Sequence, residues 1–272
     1  MGHQIYGIDF TSAPRAGKPL RCAECVLDGA RLTLVSFQAW PDFAGFEAFL
    51  ASPGPWVAGL DFPFGQSRIF VENIGWPRDW AAYARYVATL ERTVFCEVLE
   101  RYKADRLDGD REHRRRVDVL AGAISPQKLY GVPVGKMFYE GSRRLVASGV
   151  HLPLLMPGDR ERVILEAYPG VIARFLIGRE SYKTDTRRKQ KPSHIQAQRA
   201  IVSALKTKRF SDVYGLEVCL PADFEPEPSG DRLDAVLCAI QVAAAFLKRD
   251  TNFGIPDHAD PLEGWICDPT LC

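Results

Sequence analysis

The chain has 272 residues, a formal net charge of +1 and 46% hydrophobic residues, the proportions of an ordinary globular protein with one large domain or two small ones. A balance this even gives no whole-chain electrostatic argument for a nucleic-acid or membrane-surface partner, so any such argument must come from local patches. No apolar run reaches the ~18 residues that span a bilayer, and Met1-Gly2-His3-Gln4 lacks the layout of a secretion signal, so a cytoplasmic protein is expected. The 7 cysteines are odd in number and irregularly spaced, which fits reduced thiols better than a disulfide framework. Cys22-Ala23-Glu24-Cys25 has metal-knuckle spacing, but it lies in a strand-like run, where residues three apart point to opposite faces. With no second pair in the chain, a zinc site is rejected.

Residues 4–10 read as a first strand, an apolar run that stops on Asp9 before Thr11-Ser12-Ala13-Pro14. Leu20 to Leu27 and Arg31 to Ala39 read as two more, joined by Asp28-Gly29, a two-residue hairpin signal. The three make an antiparallel meander. Pro41 opens a short helix with Phe43, Phe46, Phe49 and Leu50 at helical spacing, and Ser52-Pro53-Gly54-Pro55 ends it. Trp56 to Asp61 is then a second short apolar run ending on an aspartate, broken at once by Phe62-Pro63-Phe64-Gly65. A strand reached through a helix usually lies parallel to its neighbour. If it lies beside the first, Asp9 and Asp61 sit together at the carboxyl edge, where open α/β sheets hold their ligands.

Residues 66–160 read as a helical insertion within a single domain covering 1–272. One helix runs from Pro77 and Asp79 to about Lys103, and another from Lys136 to Val146. The mixed charges of Arg101 to Arg116 read as a solvated face or loop. Arg162 to Pro169 is a third apolar run with an acid, Glu166, near its end. Pro169 starts a helix whose apolar face is Val171, Ile172, Phe175 and Leu176, with Gly178 suited to its cap. The segment Tyr182 to Lys191 is the most one-sided basic patch, and Lys183, Arg187 and Arg188 are its phosphate-binding candidates; an exposed linker before a helix at Ser193 to Lys206 is the other reading. The final helix begins at Ser229-Gly230-Asp231-Arg232-Leu233-Asp234. Its two acids, three apart, project from one side of the first turn.

An unpaired carboxylate on a buried strand costs several kcal/mol or more, and two side by side repel unless a proton or a cation lies between them. Each acid alone has a structural explanation: Asp9 can cap the following turn, and Asp231 and Asp234 can complement the helix dipole. Taken together, Asp9, Asp61, Asp231 and Asp234 are the candidate catalytic and metal-ligating set, with Mg2+ or Mn2+ as the cation that carboxylate oxygens suit. Glu166, Lys136 and His194 are accessory candidates. The chain has no P-loop or dinucleotide glycine pattern and no nucleophile elbow.

The order of these elements and acids resembles the ribonuclease H-like fold, and the DxxD opening of the last helix its resolvase-like branch. More closely, Gly7-Ile8-Asp9, Gly59-Leu60-Asp61-Phe62-Pro63, Glu166-Ala167-Tyr168-Pro169, Tyr182-Lys183, Asp231 and Asp234 with Ala235, and Glu263-Gly264-Trp265-Ile266 are together similar to a domain-of-unknown-function family of predicted ribonuclease H-like nucleases. The resemblance spans nearly the whole chain and lies in the order of short motifs. It implies an α/β fold with a mixed five-stranded sheet in the order 3-2-1-4-5, flanked by helices. It also implies a two-metal nuclease acting on nucleic acid, with Asp9 bridging the metals. Asp61 stands where the resolvase-like pattern commonly has Glu, a shorter reach. Two rival readings remain: a phosphoryl-transfer enzyme of related fold, and an inactive scaffold whose acids are structural.

Overall fold

A computed structural model describes residues 2–184 and 187–271, with the Arg187 side chain outside the described part. The strands are β1 (His3–Asp9), β2 (Leu20–Asp28), β3 (Arg31–Trp40), β4 (Trp56–Leu60), β5 (Val150–His151), β6 (Asp159–Glu166) and β7 (Glu217–Cys219). The helices are α1 (Phe43–Ala51), α2 (Arg68–Ile74), α3 (Trp80–Thr89), α4 (Arg92–Ala104), α5 (Arg116–Ala121), α6 (Val134–Ser148), α7 (Pro169–Ile177), α8 (Pro192–Ala204), α9 (Lys208–Tyr214) and α10 (Asp231–Phe246).

The described strands form one mixed 7-stranded sheet in the order β5-β6-β4-β1-β2-β3-β7. This differs from the expected five-stranded order, because the short strands β5 and β7 extend the sheet at its two edges. Both were too short, at 2 and 3 residues, to show a period in the sequence. β1, β2 and β3 form the antiparallel meander, and β4 and β6 run parallel to β1. The β2–β3 loop is Gly29-Ala30, one residue later than expected, because Asp28 pairs with Arg31. Gly29, first in the turn, has φ +59°, a conformation that glycine adopts without a steric penalty.

The two faces of the sheet are covered by different parts of the chain. On one, Ile8, Leu20, Cys22 and Leu60 pack with α1 and the insertion helices α2, α3, α4 and α6. On the other, Ile5, Cys25, Val57 and Leu165 pack with α5, α7, α8, α9 and α10. Cys22 and Cys25 thus lie in opposite cores, and the described cysteines are all free. The expected helix from Asp79 to Lys103 is two helices, α3 and α4, because Leu90 turns out of the helix with φ −83° and ψ 142°. No helix among the described residues is long and apolar enough to cross a membrane.

The element that sets the site is α10. Every one of its residues except Arg232 is buried, so it has no solvent face, and a helix apolar all round belongs inside. It reaches the sheet through two glycines paired in register, Gly7 on β1 and Gly59 on β4. A Cβ on Gly7 would stand 2.0 Å from the Ala235 carbonyl oxygen, and one on Gly59 would stand 2.8 Å from that of Cys238. Neither is a packing distance that real side chains adopt. The backbone of α10 therefore lies directly on the two central strands, and its first turn is carried to the strand ends.

Candidate metal centre

Side chains two apart on a strand share a face. Asp9 follows Gly7, and Asp61 follows Gly59, so both acids project toward α10 just beyond the point where the glycines admit it. The ladder continues past the strand ends, where the Asp61 N–H donates to the Ile8 carbonyl at 3.0 Å. Asp234, on the first turn of α10, meets them there. Carboxylate oxygens of Asp9, Asp61 and Asp234 all lie within 4.8 Å of one another. Asp234 is fully buried, and the three acids line a cavity of about 740 Å³ that opens at the carboxyl edge of the parallel strands.

The charge balance is poor. Burial raises the proton affinity of all three acids, and repulsion from neighbouring carboxylates adds to it. Asp61 is pushed from 3.8 up to about 7, by burial first, against the lowering effect of Lys183 and with further repulsion from Asp234 and Glu166. Asp9 is held well above its ordinary value by burial, against Lys183 and with Asp234, Asp231 and Asp61 raising it further. The one ammonium group among them is Lys183, whose Nζ forms an ion pair with Asp234 Oδ2. Burial works against the Lys183 charge, but Asp234, Asp9 and Asp61 outweigh it and hold its pKa well above the usual lysine value. The neighbouring Tyr182 hydroxyl donates to Asp234 Oδ1 at 2.6 Å. Asp234 is thus fixed by two adjacent residues of the loop after α7.

The other candidates are placed as follows. Asp231 is buried and lines the same cavity, adding repulsion to Asp9 and Asp234, but it stands outside the three-acid cluster. One helical turn separates the two residues, and it is Asp234 that overlies the strand ends. Lys183 belongs to the acid cluster and does not reach outward. Arg188 is exposed in the short 3-10 turn Arg187–Lys189 and lines neither this cavity nor its neighbour; the Arg187 side chain lies outside the described residues. His194 Nδ1 accepts the Lys191 N–H at 3.3 Å and caps α8. Lys136, in the first turn of α6, is also absent from the cavity walls.

Glu166, at the end of β6, lines the cavity but has a cation of its own. Arg115 is fully buried and grips it through Nη2 at 2.5 Å and Nη1 at 2.8 Å, and grips Asp118 at 2.7 Å and 3.0 Å. Its remaining donor bond goes to the Glu263 carbonyl at 3.0 Å. The Glu263 carboxylate in turn accepts the N–H groups of Arg68 and Arg116 at 2.7 and 2.9 Å. This network ties α2, α5 and the C-terminal segment to the sheet edge beside Asp61. The expectation of a solvated loop over Arg101 to Arg116 is therefore wrong at its end: nothing distinguishes Arg115 from its neighbours until the acids around it are known. Tyr182 was also missed as a site residue, although its position beside Lys183 was the available signal.

The chain matches no family model, no curated protein and no solved structure.

Proposed function

We propose that the protein is a divalent-metal-dependent phosphodiesterase acting on nucleic acid, a nuclease of the ribonuclease H-like kind that its motifs resemble. The observation that supports this is the convergence of Asp9, Asp61 and Asp234 from two strands and a helix at the carboxyl edge of the sheet. The donor set fits Mg2+ or Mn2+: it offers carboxylate oxygens only, with no thiolate or imidazole, and hard cations select such ligands. It also carries more negative charge than Lys183 offsets, the condition under which cation binding is favourable.

A pair of such ions, when bound, activates an attacking water and stabilises the leaving oxygen of an in-line displacement. Asp9, Asp61 and Asp234 would hold these ions, with Asp9 the carboxylate that the motif resemblance implies is shared. Tyr182 and Lys183 orient Asp234 toward the cluster. Lys183, paired with Asp234, keeps one positive charge at the cluster, and such oriented cations stabilise charge in phosphoryl chemistry. Arg115 keeps Glu166 neutralised, so that this fourth carboxylate does not add its full charge to the cluster.

The test is hydrolysis of bis(p-nitrophenyl) phosphate and of labelled oligonucleotides in Mn2+ or Mg2+, comparing the wild type with Asp9→Asn. Hydrolysis that is lost in this near-isosteric variant, with the circular dichroism spectrum and melting cooperativity retained, is the expected result. Undiminished activity in Asp9→Asn would remove the proposal.

A further inference from the structure

The acid-floored cavity does not end at the acids. A second cavity of about 750 Å³ lies beside it, and the two share Tyr168, Gly170, Tyr182 and Lys183 as lining residues. They adjoin at these residues and make one trough, whose first part holds the acid cluster. Its walls are unusual for a nucleic-acid surface. Ile124 and Val132 on the first cavity are 40% and 49% exposed, and Val119 and Leu120 on the second are 54% and 53% exposed. Besides the buried Arg115, its basic side chains are Lys18 and Lys128 in the first cavity, Lys183 where the two meet, and Arg174 and Arg179 in the second, where Arg174 donates to the Ala121 carbonyl at 2.6 Å.

Where the two cavities meet stands Tyr168. Its backbone N–H is held by Gln241 Oε1 at 2.9 Å, and the hydroxyl makes no hydrogen bond among the described residues. A Cβ on Gly170 would come within 2.7 Å of the Tyr168 ring, so the absence of a side chain there leaves room for the ring. Tyr168 lines the same cavity as Asp9, Asp61 and Asp234.

These walls discriminate between forms of nucleic acid. A duplex offers a stiff rod with phosphates outside and bases stacked inside, and is held chiefly by many cations on its backbone. The bases of a duplex, stacked inside it, cannot reach aliphatic walls, so such a trough offers a duplex only its cations. A single strand presents unstacked bases, which gain from apolar walls and from an aromatic ring, without dependence on sequence.

We infer that the substrate is a single-stranded nucleic acid drawn through this two-cavity trough, with the base next to the scissile phosphate stacked on Tyr168. The position of that phosphate rests on the phosphodiesterase reading above.

The test is fluorescence anisotropy in Ca2+, a hard cation used here to favour binding over turnover, with a labelled oligothymidylate of about a dozen nucleotides, within the usual site sizes. The same strand annealed to its complement is the second probe. The expected result is single-strand binding at least about tenfold tighter than duplex binding at equal salt. Tyr168→Ala weakens it by about 5- to 150-fold, the usual worth of one stacked base, while Tyr168→Phe binds as the wild type and both variants melt cooperatively. Duplex binding equal to or tighter than single-strand binding, or Tyr168→Ala binding like the wild type, overturns the inference. Bis(p-nitrophenyl) phosphate hydrolysis in Mn2+ separates the two claims. Hydrolysis without single-strand preference keeps the phosphodiesterase and discards the trough. The expected binding pattern with no metal-dependent hydrolysis of any phosphodiester discards the chemistry and keeps the trough as a single-strand site.

Discussion

Replacing Asp61 by Asn is expected to make the metal-free protein more stable, not less. In the folded chain the Asp61 carboxyl is pushed from 3.8 to about 7, and each tenfold change in proton affinity is worth about 1.4 kcal/mol. Ionising it within the fold at pH 8 therefore costs about 4 kcal/mol relative to the unfolded chain. That figure already includes the attraction of Lys183, and it is an upper bound, since relaxation of the site reduces the gain to about 1–3 kcal/mol. The sign follows from linkage. A carboxyl whose folded pKa is raised leaves the native state binding more protons than the unfolded chain, so stability falls as pH rises through about 7. The assay is urea unfolding of wild type and Asp61→Asn in EDTA from pH 4 to pH 8. The variant should be the more stable at pH 8, with the difference shrinking as pH falls from 7 toward 3.8. Millimolar Mn2+ should then raise the wild-type melting temperature and leave the variant nearly unmoved, because a ligand specific to the native state stabilises it by mass action. An Asp61→Asn protein no more stable than wild type at pH 8, or a difference independent of pH, would refute the idea that these acids are held together against their own repulsion.

The remaining predictions concern the frame around the site. Arg115→Met strands Glu166 and Asp118, both nearly inaccessible to solvent, and breaking a buried ion pair on one side costs about 3–5 kcal/mol; chemical denaturation reads this, and adding Glu166→Gln and Asp118→Asn should recover part of the loss. Gly7→Ala places a methyl 2.0 Å from the Ala235 carbonyl, so at least about 1–3 kcal/mol of overpacking is expected, with loss of the Mn2+ effect on melting as α10 is lifted from the strands. Tyr182→Phe removes the hydroxyl bond to Asp234 but keeps the ring, and a hydrogen bond to a charged group is worth about 1.5–3 kcal/mol; hydrolysis should slow while the melting temperature shifts by only a few degrees.

The paired motifs Gly7-Ile8-Asp9 and Gly59-Leu60-Asp61 already contain the design of the site. The period of a strand puts glycine and aspartate on one face, and a short apolar run that stops on an acid marks a strand end. The meander, the parallel placement of β4 beside β1, and the acids at the opening of α10 follow from such local patterns. Local pattern could not say which of Asp231 and Asp234 overlies the strand ends, since they differ by one turn of a helix whose docking depth is set by Gly7 and Gly59 on other elements. Nor could it say that Lys183 turns inward to Asp234, or that Arg115 in a run of charges is the one buried. The short strands β5 and β7 escaped for a related reason: with 2 and 3 residues they have no period of their own and exist only by pairing with β6 and β3. Periodicity and turn chemistry are written residue by residue along the chain and are legible there. Partner choice among charges depends on distances between segments far apart in sequence, and those distances exist only once the helices have packed.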